Sequence, residues 1–235
     1  CAPSRRLSNG TVKRDVQPEI LDSLPPENPE AIRSRRDLRR VNWLMGNARI
    51  LRREIARLPF RPKSVIEIGA GEGTLLLSAL GKAPPDCGMP QVTFLDIRNL
   101  LSDSIRKAYR DLGWRSEVCT GDVFESLGEA DLVVANLFLH HFEDVRLRIL
   151  LEEIHSRCRA FIAIEPRRSR LGWVGASLLG CIGCNRVTRH DAVVSVVAGF
   201  RDRELTALWP SDRGWQIEER RAPPFSHLFR AQFMS

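Results

Sequence analysis

Residues 65–74 read Val-Ile-Glu-Ile-Gly-Ala-Gly-Glu-Gly-Thr, and this stretch decides the fold of the chain. The apolar run 64–68 predicts a buried strand that ends at three glycines, Gly69, Gly71 and Gly73. A helical pattern follows at once. Glycine lets a ligand approach bare backbone, and a helix N-terminus offers unpaired N–H groups and a positive dipole end. The stretch therefore predicts a cofactor-binding turn at the carboxyl end of a parallel sheet.

The spacing of these glycines distinguishes between kinds of cofactor. Dinucleotide-binding folds usually carry G-x-G-x-x-G, whereas here the pattern is G-x-G-x-G with an acid, Glu67, inside the strand. Another α/β protein with a glycine-rich turn would show a similar local pattern. The combination resembles the first motif of the class I S-adenosylmethionine (SAM) methyltransferases, in which this loop cradles the methionine part of the cofactor. The resemblance implies SAM as cofactor, S-adenosylhomocysteine (SAH) as product, and contacts from Glu67, Gly69, Ala70, Gly71 and Gly73.

Length and composition fit one α/β domain with an N-terminal addition. The 235 residues are 43% hydrophobic, and no run reaches the roughly 20 apolar residues of a membrane span. The first residues lack the apolar centre of a signal peptide. Six scattered cysteines favour free thiols, so we expect a cytoplasmic protein. Cys181 and Cys184 form a lone C-x-x-C with no second ligand pair nearby, and no metal site is predicted.

The positive charge is concentrated at the start of the chain. The net charge is +7, and residues 1–60 hold 13 Lys and Arg against 7 Asp and Glu. A solvated amphipathic helix is the simplest explanation, and a surface that attracts RNA or a membrane is the less favoured one. We therefore expect no nucleic-acid partner, and a monomer or a homodimer.

The chain divides into three predicted parts. Residues 1–27 are polar and lack periodicity, which predicts a flexible or loosely attached tail. Residues 28–60 carry two amphipathic helical patterns and are predicted to form a lid. Residues 61–235 are predicted to form the SAM-binding domain, with a cap over the acceptor at about 167–208.

Strand and helix patterns alternate from residue 64 onward, which indicates parallel βαβ units. Strands are expected at 64–68, 91–96, 116–120, 131–136 and 160–165, and helices at 73–82, 100–112, 143–157, 169–180 and 188–207. The last two segments look like an antiparallel pair. The fold class is therefore α/β: a Rossmann-like three-layer sandwich whose seven-stranded, mostly parallel sheet ends in an antiparallel C-terminal hairpin, plus an N-terminal helical lid.

Polar residues follow the next three strands. Asp96 ends the second strand, where a carboxylate can accept hydrogen bonds from the vicinal ribose hydroxyls of a nucleotide. By resemblance to the family, the Gly-Asp pair after the third strand lies beside the adenine, and the tract after the fourth resembles that of small-molecule methyltransferases. Predicted cofactor contacts at these strand ends are Asp96, Ile97, Gly121, Asp122, Val123, Asn136 and Leu137.

Methyl transfer to a hydroxyl or an acidic carbon needs a base, and histidine has a pKa near working pH. His140 follows the fourth strand, and His190 lies in the segment that family members use for the acceptor pocket. We predict that these two act in catalysis, although a satisfied polar role is the alternative for each. Predicted acceptor contacts are Trp43, His141, Arg167 and Trp173.

The sequence thus predicts a SAM-dependent methyltransferase acting on oxygen or carbon of a small metabolite, of aromatic, phenolic or polyketide type. Quinone-biosynthesis and secondary-metabolite methyltransferases are the groups it resembles. Two alternatives stay open at this point. One is an RNA or protein methyltransferase that uses the basic N-terminal region, and the other is a non-catalytic partner protein with the same fold.

Overall fold

The computed structural model describes residues 13–83 and 88–234. Within these ranges the strands form one seven-stranded sheet in the order β3-β2-β1-β4-β5-β7-β6, and β7 alone runs antiparallel to its neighbours. The predicted fold class, with its reversed C-terminal hairpin, is confirmed. The strands are β1 (Ser64–Ile68), β2 (Gln91–Asp96), β3 (Arg115–Thr120), β4 (Ala130–Asn136), β5 (Cys158–Pro166), β6 (Trp215–Ala222) and β7 (Ser226–Phe233).

Helices connect the strands and cover both faces of the sheet. In the described residues they are α1 (Ile20–Ser23), α2 (Pro29–Met45), α3 (Asn47–Ile55), α4 (Thr74–Ala79), α5 (Asp103–Asp111), α6 (Val123–Ser126), α7 (Asp144–Arg157), α8 (Arg170–Ser177), α9 (Arg186–Ala198) and α10 (Glu204–Leu208). Two 3₁₀ turns lie at Leu139–His141 and Leu178–Ile182. In the same residues, no helix has both the length and the apolar character needed to cross a bilayer.

The sheet separates two hydrophobic cores, because successive side chains of a strand point to opposite faces. In β4, Leu132 and Val134 pack with α3, α4 and α5, whereas Val133 and Ala135 pack with α7. Burial on both faces explains why the central strands are nearly continuous apolar runs rather than alternating ones.

The strand order places the carboxyl ends of β1 and β4 at the point where the sheet reverses direction. From β1 the chain adds β2 and β3 on one side, and β4 and β5 lie on the other. Loops leaving adjacent strands in opposite directions open a crevice there, where ligands of open α/β sheets bind. The glycine turn after β1 lies in this crevice.

The N-terminal segment is anchored from Arg14 onward, where the sequence predicted a flexible tail over residues 1–27. Arg14 donates from Nε to the Ala198 carbonyl at 2.8 Å and from a terminal nitrogen to the Phe142 carbonyl at 2.7 Å. Its guanidinium also lies over the Phe200 ring, 4.5 Å from the ring centroid. These contacts join Arg14 to residues far away in the sequence. A prediction from local periodicity cannot detect such contacts. Residues 1–12 lie outside the described residues.

The helix predicted at 188–207 is interrupted. Its two halves, α9 and α10, are separated at Gly199 and Phe200, where Phe200 N donates to the Pro166 carbonyl at 2.9 Å. A Cβ on Gly199 would lie 2.2 Å from the Pro166 carbonyl oxygen, so only glycine fits this approach to β5. The helix predicted at 169–180 ends as α8 and continues as a 3₁₀ turn.

Candidate active site

The glycine turn adopts a backbone that other residues rarely take. Gly69, Gly71 and Gly73 have φ values of +63°, +53° and +67°. A Cβ on Gly69 would lie 2.2 Å from the Phe138 ring, whereas a Cβ on Gly71 would point into open space. Gly69 is therefore required by packing, and Gly71 leaves room on the side of the crevice.

Asp96 joins the end of β2 to this turn. Its carboxylate accepts a hydrogen bond from Gly71 N at 2.8 Å and another from Arg98 N at 3.0 Å. The N-cap of the following helix is Ser102, so Asp96 is not used as a cap. An ionised carboxylate with two oxygens has lone pairs left for further donors.

Glu67 lies in β1 beneath the turn and is 3% exposed. Burial, together with the charge of Asp96, raises the pKa of Glu67 to about 8. Its Oε2 atom has no hydrogen-bond partner among the described residues. A buried carboxylate oxygen without a donor is costly, and it marks a position where a bound group with a donor would be stabilised.

A cavity of about 510 Å³ extends from the glycine turn to the helices that flank the sheet. This volume is within the range of small-molecule sites. One wall holds predicted cofactor residues: Glu67, Gly69, Ala70, Gly71, Asp96, Ile97, Asn136 and Leu137. An apolar wall comes from α2 and from the segment 172–196, with Leu38, Val41, Leu44, Met45, Ala176, Leu179, Ile182 and Val196.

Three asparagines fasten the N-terminal helices to the sheet at this cavity. Asn47 Nδ2 donates to the side-chain oxygens of Asn136, at 2.8 Å, and of Asn42, at 3.0 Å. Asn136 Nδ2 in turn donates to Asn42 at 3.1 Å. The amides satisfy one another, and α2 and α3 are held over the end of β4.

The backbone just after β4 is strained. Leu137 has φ +52°, a left-handed conformation that is uncommon for a residue other than glycine. Its N–H donates to the Ile164 carbonyl at 2.9 Å, and the next two amides donate to Glu165. Strain of this kind concentrates at functional sites.

His140 lies between two carboxylates. Its Nδ1 is 2.8 Å from Glu165 Oε2, and its Nε2 is 3.3 Å from Glu19 Oε1. Burial disfavours the imidazolium, but the hydrogen bonds to Glu165 and Glu19 outweigh burial and raise the pKa of His140 to about 9. The two carboxylates thus favour the imidazolium form of His140.

His141 lies beside it, with ring centroids 4.3 Å apart. Its Nδ1 is 3.4 Å from Asp22 Oδ2. Burial and the neighbouring charge of His140 lower the pKa of His141. Glu19, His140 and His141 all line the cavity, and we call these three residues the polar corner.

The remaining predicted site residues do not line the cavity. Gly73 lies behind the turn, and a Cβ there would approach Leu101 to 2.7 Å. Gly121, Asp122 and Val123 lie at the start of α6, where the Asp122 carboxylate accepts from Phe124 N at 3.0 Å and caps the helix. A contact between this segment and adenine stays a prediction.

Four of these residues, predicted to act in catalysis or to contact the acceptor, are likewise not part of the cavity lining. The His190 side chain is 51% exposed, and its Nδ1 is 3.0 Å from Asp191. Trp43 and Trp173 are 80% and 42% exposed. Arg167 lies beside β5 with its N–H donating to the Phe225 carbonyl at 2.8 Å. Their functional roles stay predictions.

The sequence did not predict that three acids would lie at or near the polar corner. Glu165 is fully buried at the end of β5, Glu19 contacts His140 and Ser195, and Asp191 accepts from the amides of Ile20 and Leu21 at 2.9 and 3.0 Å. An acid inside the otherwise apolar fifth strand was the one available signal. Glu19 and Asp191 are far from the histidine pair in the sequence, and only the tertiary fold brings them near it.

The comparisons with known proteins fit this geometry. A family model described as a methyltransferase domain matches residues 43–175, more than half of the chain. The chain belongs to the methyltransferase domain family. The resemblance to class I SAM-dependent methyltransferases, stated from the glycine turn, is thereby confirmed.

Individual relatives of this methyltransferase domain are distant. O-methyltransferase 12 of Dictyostelium discoideum is 29% identical over 108 residues, which are 45% of this chain and 28% of that protein. The structure is similar to that of the plantazolicin methyltransferase BpumL in complex with SAH, with a TM-score of 0.62 at 11% identity over 88% of this chain and 91% of that one. It is also similar to the mitomycin 7-O-methyltransferase MmcR, with a TM-score of 0.58 at 19% identity over 91% of this chain and 60% of that one. At these identities the likeness shows the fold. The chain spans 28% of its curated relative.

Proposed function

We propose that this chain is a SAM-dependent methyltransferase that methylates oxygen or carbon of a small metabolite of apolar or aromatic character. The observation that carries the proposal is the single cavity that joins the glycine turn and Asp96 to an apolar wall. A methyltransferase needs this arrangement, because the cofactor and the acceptor must meet in one enclosed space.

The residues of the cofactor wall fit SAM. Asp96 keeps free lone pairs for the ribose hydroxyls, and the open space at Gly71 admits the cofactor next to the backbone. The orphaned oxygen of Glu67 would accept from the ammonium of the methionine part, which would also favour the ionised carboxylate. When bound, SAM supplies a methyl group on a positively charged sulfur.

The apolar wall supports a small acceptor. It is formed by residues of α2 such as Leu38 and Met45 and by residues of the cap such as Leu179 and Ile182. These side chains would bind and orient an apolar or aromatic ring and exclude water from the transfer. Alignment of acceptor, methyl carbon and sulfur supplies much of the rate, since a contact of about 3–3.5 Å in line captures the entropic advantage.

The polar corner supports the proton chemistry. A hydroxyl acceptor must lose its proton as the methyl group arrives. On this part of the cavity wall Glu165 contacts His140 and Asp22 contacts His141, whereas Glu19 contacts His140 and Ser195. We propose that the acceptor hydroxyl faces this corner.

The proposal is tested by calorimetric titration of the protein with SAM and SAH, followed by a transfer assay with SAM that carries a labelled methyl group. We expect micromolar SAM affinity and label transfer to members of a panel of phenols, naphthols and related aromatic hydroxyl compounds. Absence of SAM binding would contradict the proposal and favour a non-catalytic protein of this fold. Label transfer to RNA or to protein, with no transfer to the panel, would contradict the small-molecule acceptor. Transfer to RNA should in that case fall when the salt concentration is raised.

A further inference from the structure

We propose that the polar corner, formed by Glu19, His140 and His141, is a binding site for a divalent transition-metal ion such as Zn²⁺. One ligand atom from each of the three residues lies within 4.8 Å of the others. Two imidazole nitrogens and one carboxylate oxygen are a donor set that zinc and related ions bind. The side chains come from the N-terminal segment and from the 3₁₀ turn after β4, so the fold itself brings them together.

Glu165 gives His140 the orientation that a metal ligand needs. Its Oε2 is 2.8 Å from His140 Nδ1, and its Oε1 accepts from the amides of Phe138 and Leu139 at 3.0 and 2.9 Å. The carboxylate is thus fixed by three contacts at a fully buried position. Histidines that bind metals commonly donate their second ring N–H to such a carboxylate. This contact leaves Nε2 as the atom that faces Glu19.

His141 and Asp22 repeat this pattern at the edge of the site. His141 Nδ1 is 3.4 Å from Asp22 Oδ2, and the two histidine rings lie side by side with an interplanar angle of 32°. His141 is 25% exposed on its side chain, so an ion can reach the corner from the cavity.

The charge around the corner favours a cation. Carboxylates of Glu165 and Glu19 flank His140, and that of Asp22 lies beside His141. Two arginines lie near the corner: Arg14 donates to the carbonyls of His140 and Phe142 and pairs with Asp144, and Arg98 donates to the carbonyls of Asp22 and Leu24. An ion with two positive charges would replace the proton between His140 Nε2 and Glu19 and would balance these carboxylates with one more positive charge.

Three protein ligands leave at least one coordination position open, as in catalytic zinc sites. The corner lies on the cavity wall, so the open position would face the space proposed for the acceptor. An acceptor hydroxyl bound there would be more acidic. This last consequence depends on the proposed function, whereas binding of the ion does not.

A proton can also hold two of these side chains together, since His140 Nε2 lies within hydrogen-bond distance of Glu19 in the present arrangement. The two possibilities differ in a direct measurement. A metal site binds one ion tightly, whereas a cluster held only by the hydrogen bond between His140 and Glu19 does not.

The test is titration of the full chain, first treated with a chelator, with Zn²⁺ by calorimetry and with Co²⁺ by visible absorption. We expect one equivalent bound with micromolar or tighter affinity and Co²⁺ d–d bands of a site with nitrogen and oxygen ligands. His141→Ala and Glu19→Gln should each weaken binding at least tenfold. Glu165→Gln should weaken it by about 10- to 100-fold, the range for groups that orient a metal ligand.

Two control variants separate this site from other metal-binding groups. His190→Ala removes an exposed histidine outside the corner, and Cys181→Ser removes an exposed thiol of the C-x-x-C pair. Both should bind the ion as the unaltered chain does. Circular dichroism and melting temperature check that each variant folds, and His141→Ala, at a partly exposed position, is the variant least expected to unfold.

Absence of saturable binding would overturn the proposal, as would affinity that is unchanged in folded His141→Ala and Glu19→Gln or lost in Cys181→Ser. SAM titrations on the same samples keep the two proposals separate. SAM binding without metal binding would reject the metal site and leave the methyltransferase proposal standing. Metal binding without SAM binding would reject the methyltransferase proposal and leave the metal site standing.

Discussion

The carboxylate of Asp96 accepts a hydrogen bond from the backbone N–H of Gly71 at 2.8 Å. The acid at the end of β2 and the glycine turn after β1 are therefore one unit, positioned before any ligand arrives. Preorganisation of this kind lowers the entropic cost of binding. The glycine spacing after β1 and the acid that ends β2, which are separate patterns in the sequence, therefore belong to the same structural feature.

Replacement of this acid should weaken SAM binding more than it weakens the fold. Asp96→Asn keeps one oxygen that can accept from Gly71 N, but it loses the charge that would strengthen hydrogen bonds from ribose hydroxyls. Hydrogen bonds to charged groups contribute about 1.5–3 kcal/mol, so we expect a loss of SAM affinity of roughly 10- to 100-fold. Calorimetric titration measures it, and a melting temperature lowered by only a few degrees would show that the fold survives.

The matched variant Asp122→Asn tests the second acid of the predicted cofactor site. Asparagine caps helices about as well as aspartate, so α6 should keep its N-cap and the protein its stability. Because Asp122 does not line the cavity, we expect SAM affinity to change less than threefold. A loss comparable with that of Asp96→Asn would instead support the contact with adenine inferred from family resemblance.

Two glycines of the turn should respond differently to alanine. Both have positive φ, which costs a residue with a Cβ about 1–2 kcal/mol. Gly69→Ala also places its Cβ against the Phe138 ring, so the free energy of unfolding should fall by roughly 2–5 kcal/mol in total. In Gly71→Ala the free energy of unfolding should fall only by the cost of the positive φ, about 1–2 kcal/mol. This variant should nevertheless lose SAM binding, because its Cβ would extend into the open space of the crevice.

Gly46→Ala is the control for the turn. Gly46 has φ +70° with open space around its Cβ, and it separates α2 from α3 away from the turn. Urea denaturation should show a loss similar to that of Gly71→Ala, and SAM affinity should stay the same. Equal SAM affinity in Gly46→Ala and Gly71→Ala would contradict the position assigned to the cofactor.

The buried Glu67 predicts how stability depends on pH. Its pKa in the folded state is raised from 4.5 to about 8, so between these pH values the folded protein holds a proton that the unfolded chain has released. The contribution of Glu67 to stability is therefore largest below about pH 4.5, falls as pH rises, and levels off above about pH 8. Each unit of pKa difference corresponds to about 1.4 kcal/mol, so the full change is on the order of several kcal/mol.

Glu67→Gln removes this titration, and its free energy of unfolding should decline less between pH 5 and pH 8 than that of the unaltered chain. Urea denaturation at several pH values measures the slope. Glu125→Gln changes an exposed carboxylate and should leave the slope as it was. If Glu67→Gln and the unaltered chain had the same slope, the assignment of this proton to Glu67 would be wrong.

Loss of Arg14 should release the N-terminal segment. Arg14→Ala removes hydrogen bonds to the carbonyls of Ala198 and Phe142, the ion pair with Asp144 and the stacking on Phe200. We expect a destabilisation of roughly 1–3 kcal/mol and faster amide hydrogen exchange in residues 13–24. The control variant Arg110→Ala, at the exposed end of α5, should leave both the stability and the exchange rates unchanged. If exchange in residues 13–24 were unaltered in Arg14→Ala, other contacts would hold the segment.

The cofactor side of the site was largely predictable because it depends on short stretches of sequence. The apolar run of β1, the glycine spacing and the acid that ends β2 are each complete within ten residues, and parallel strands bring their ends together. The acceptor side was not. Glu19 and His140 are 121 positions apart, and Trp43 shows that an aromatic residue on a predicted lid can face away from the cavity.

The break at Gly199 was missed for a related reason. Residues 188–207 favour a helix by local pattern, but Gly199 and Phe200 pair with the end of β5 instead. A tertiary contact here overrides helix propensity, and the close approach of the Pro166 carbonyl that requires glycine is visible only in the folded chain.

The hydrogen bonds from the amides of Ile20 and Leu21 to Asp191 have a consequence for how the site is assembled. They connect α1 to α9, a helix that follows the fifth strand in the sequence. During synthesis, α1 can therefore dock only after α9 has been made. The cofactor half of the cavity can form while the acceptor half is still open, and the site is completed by a segment that was made well before α9.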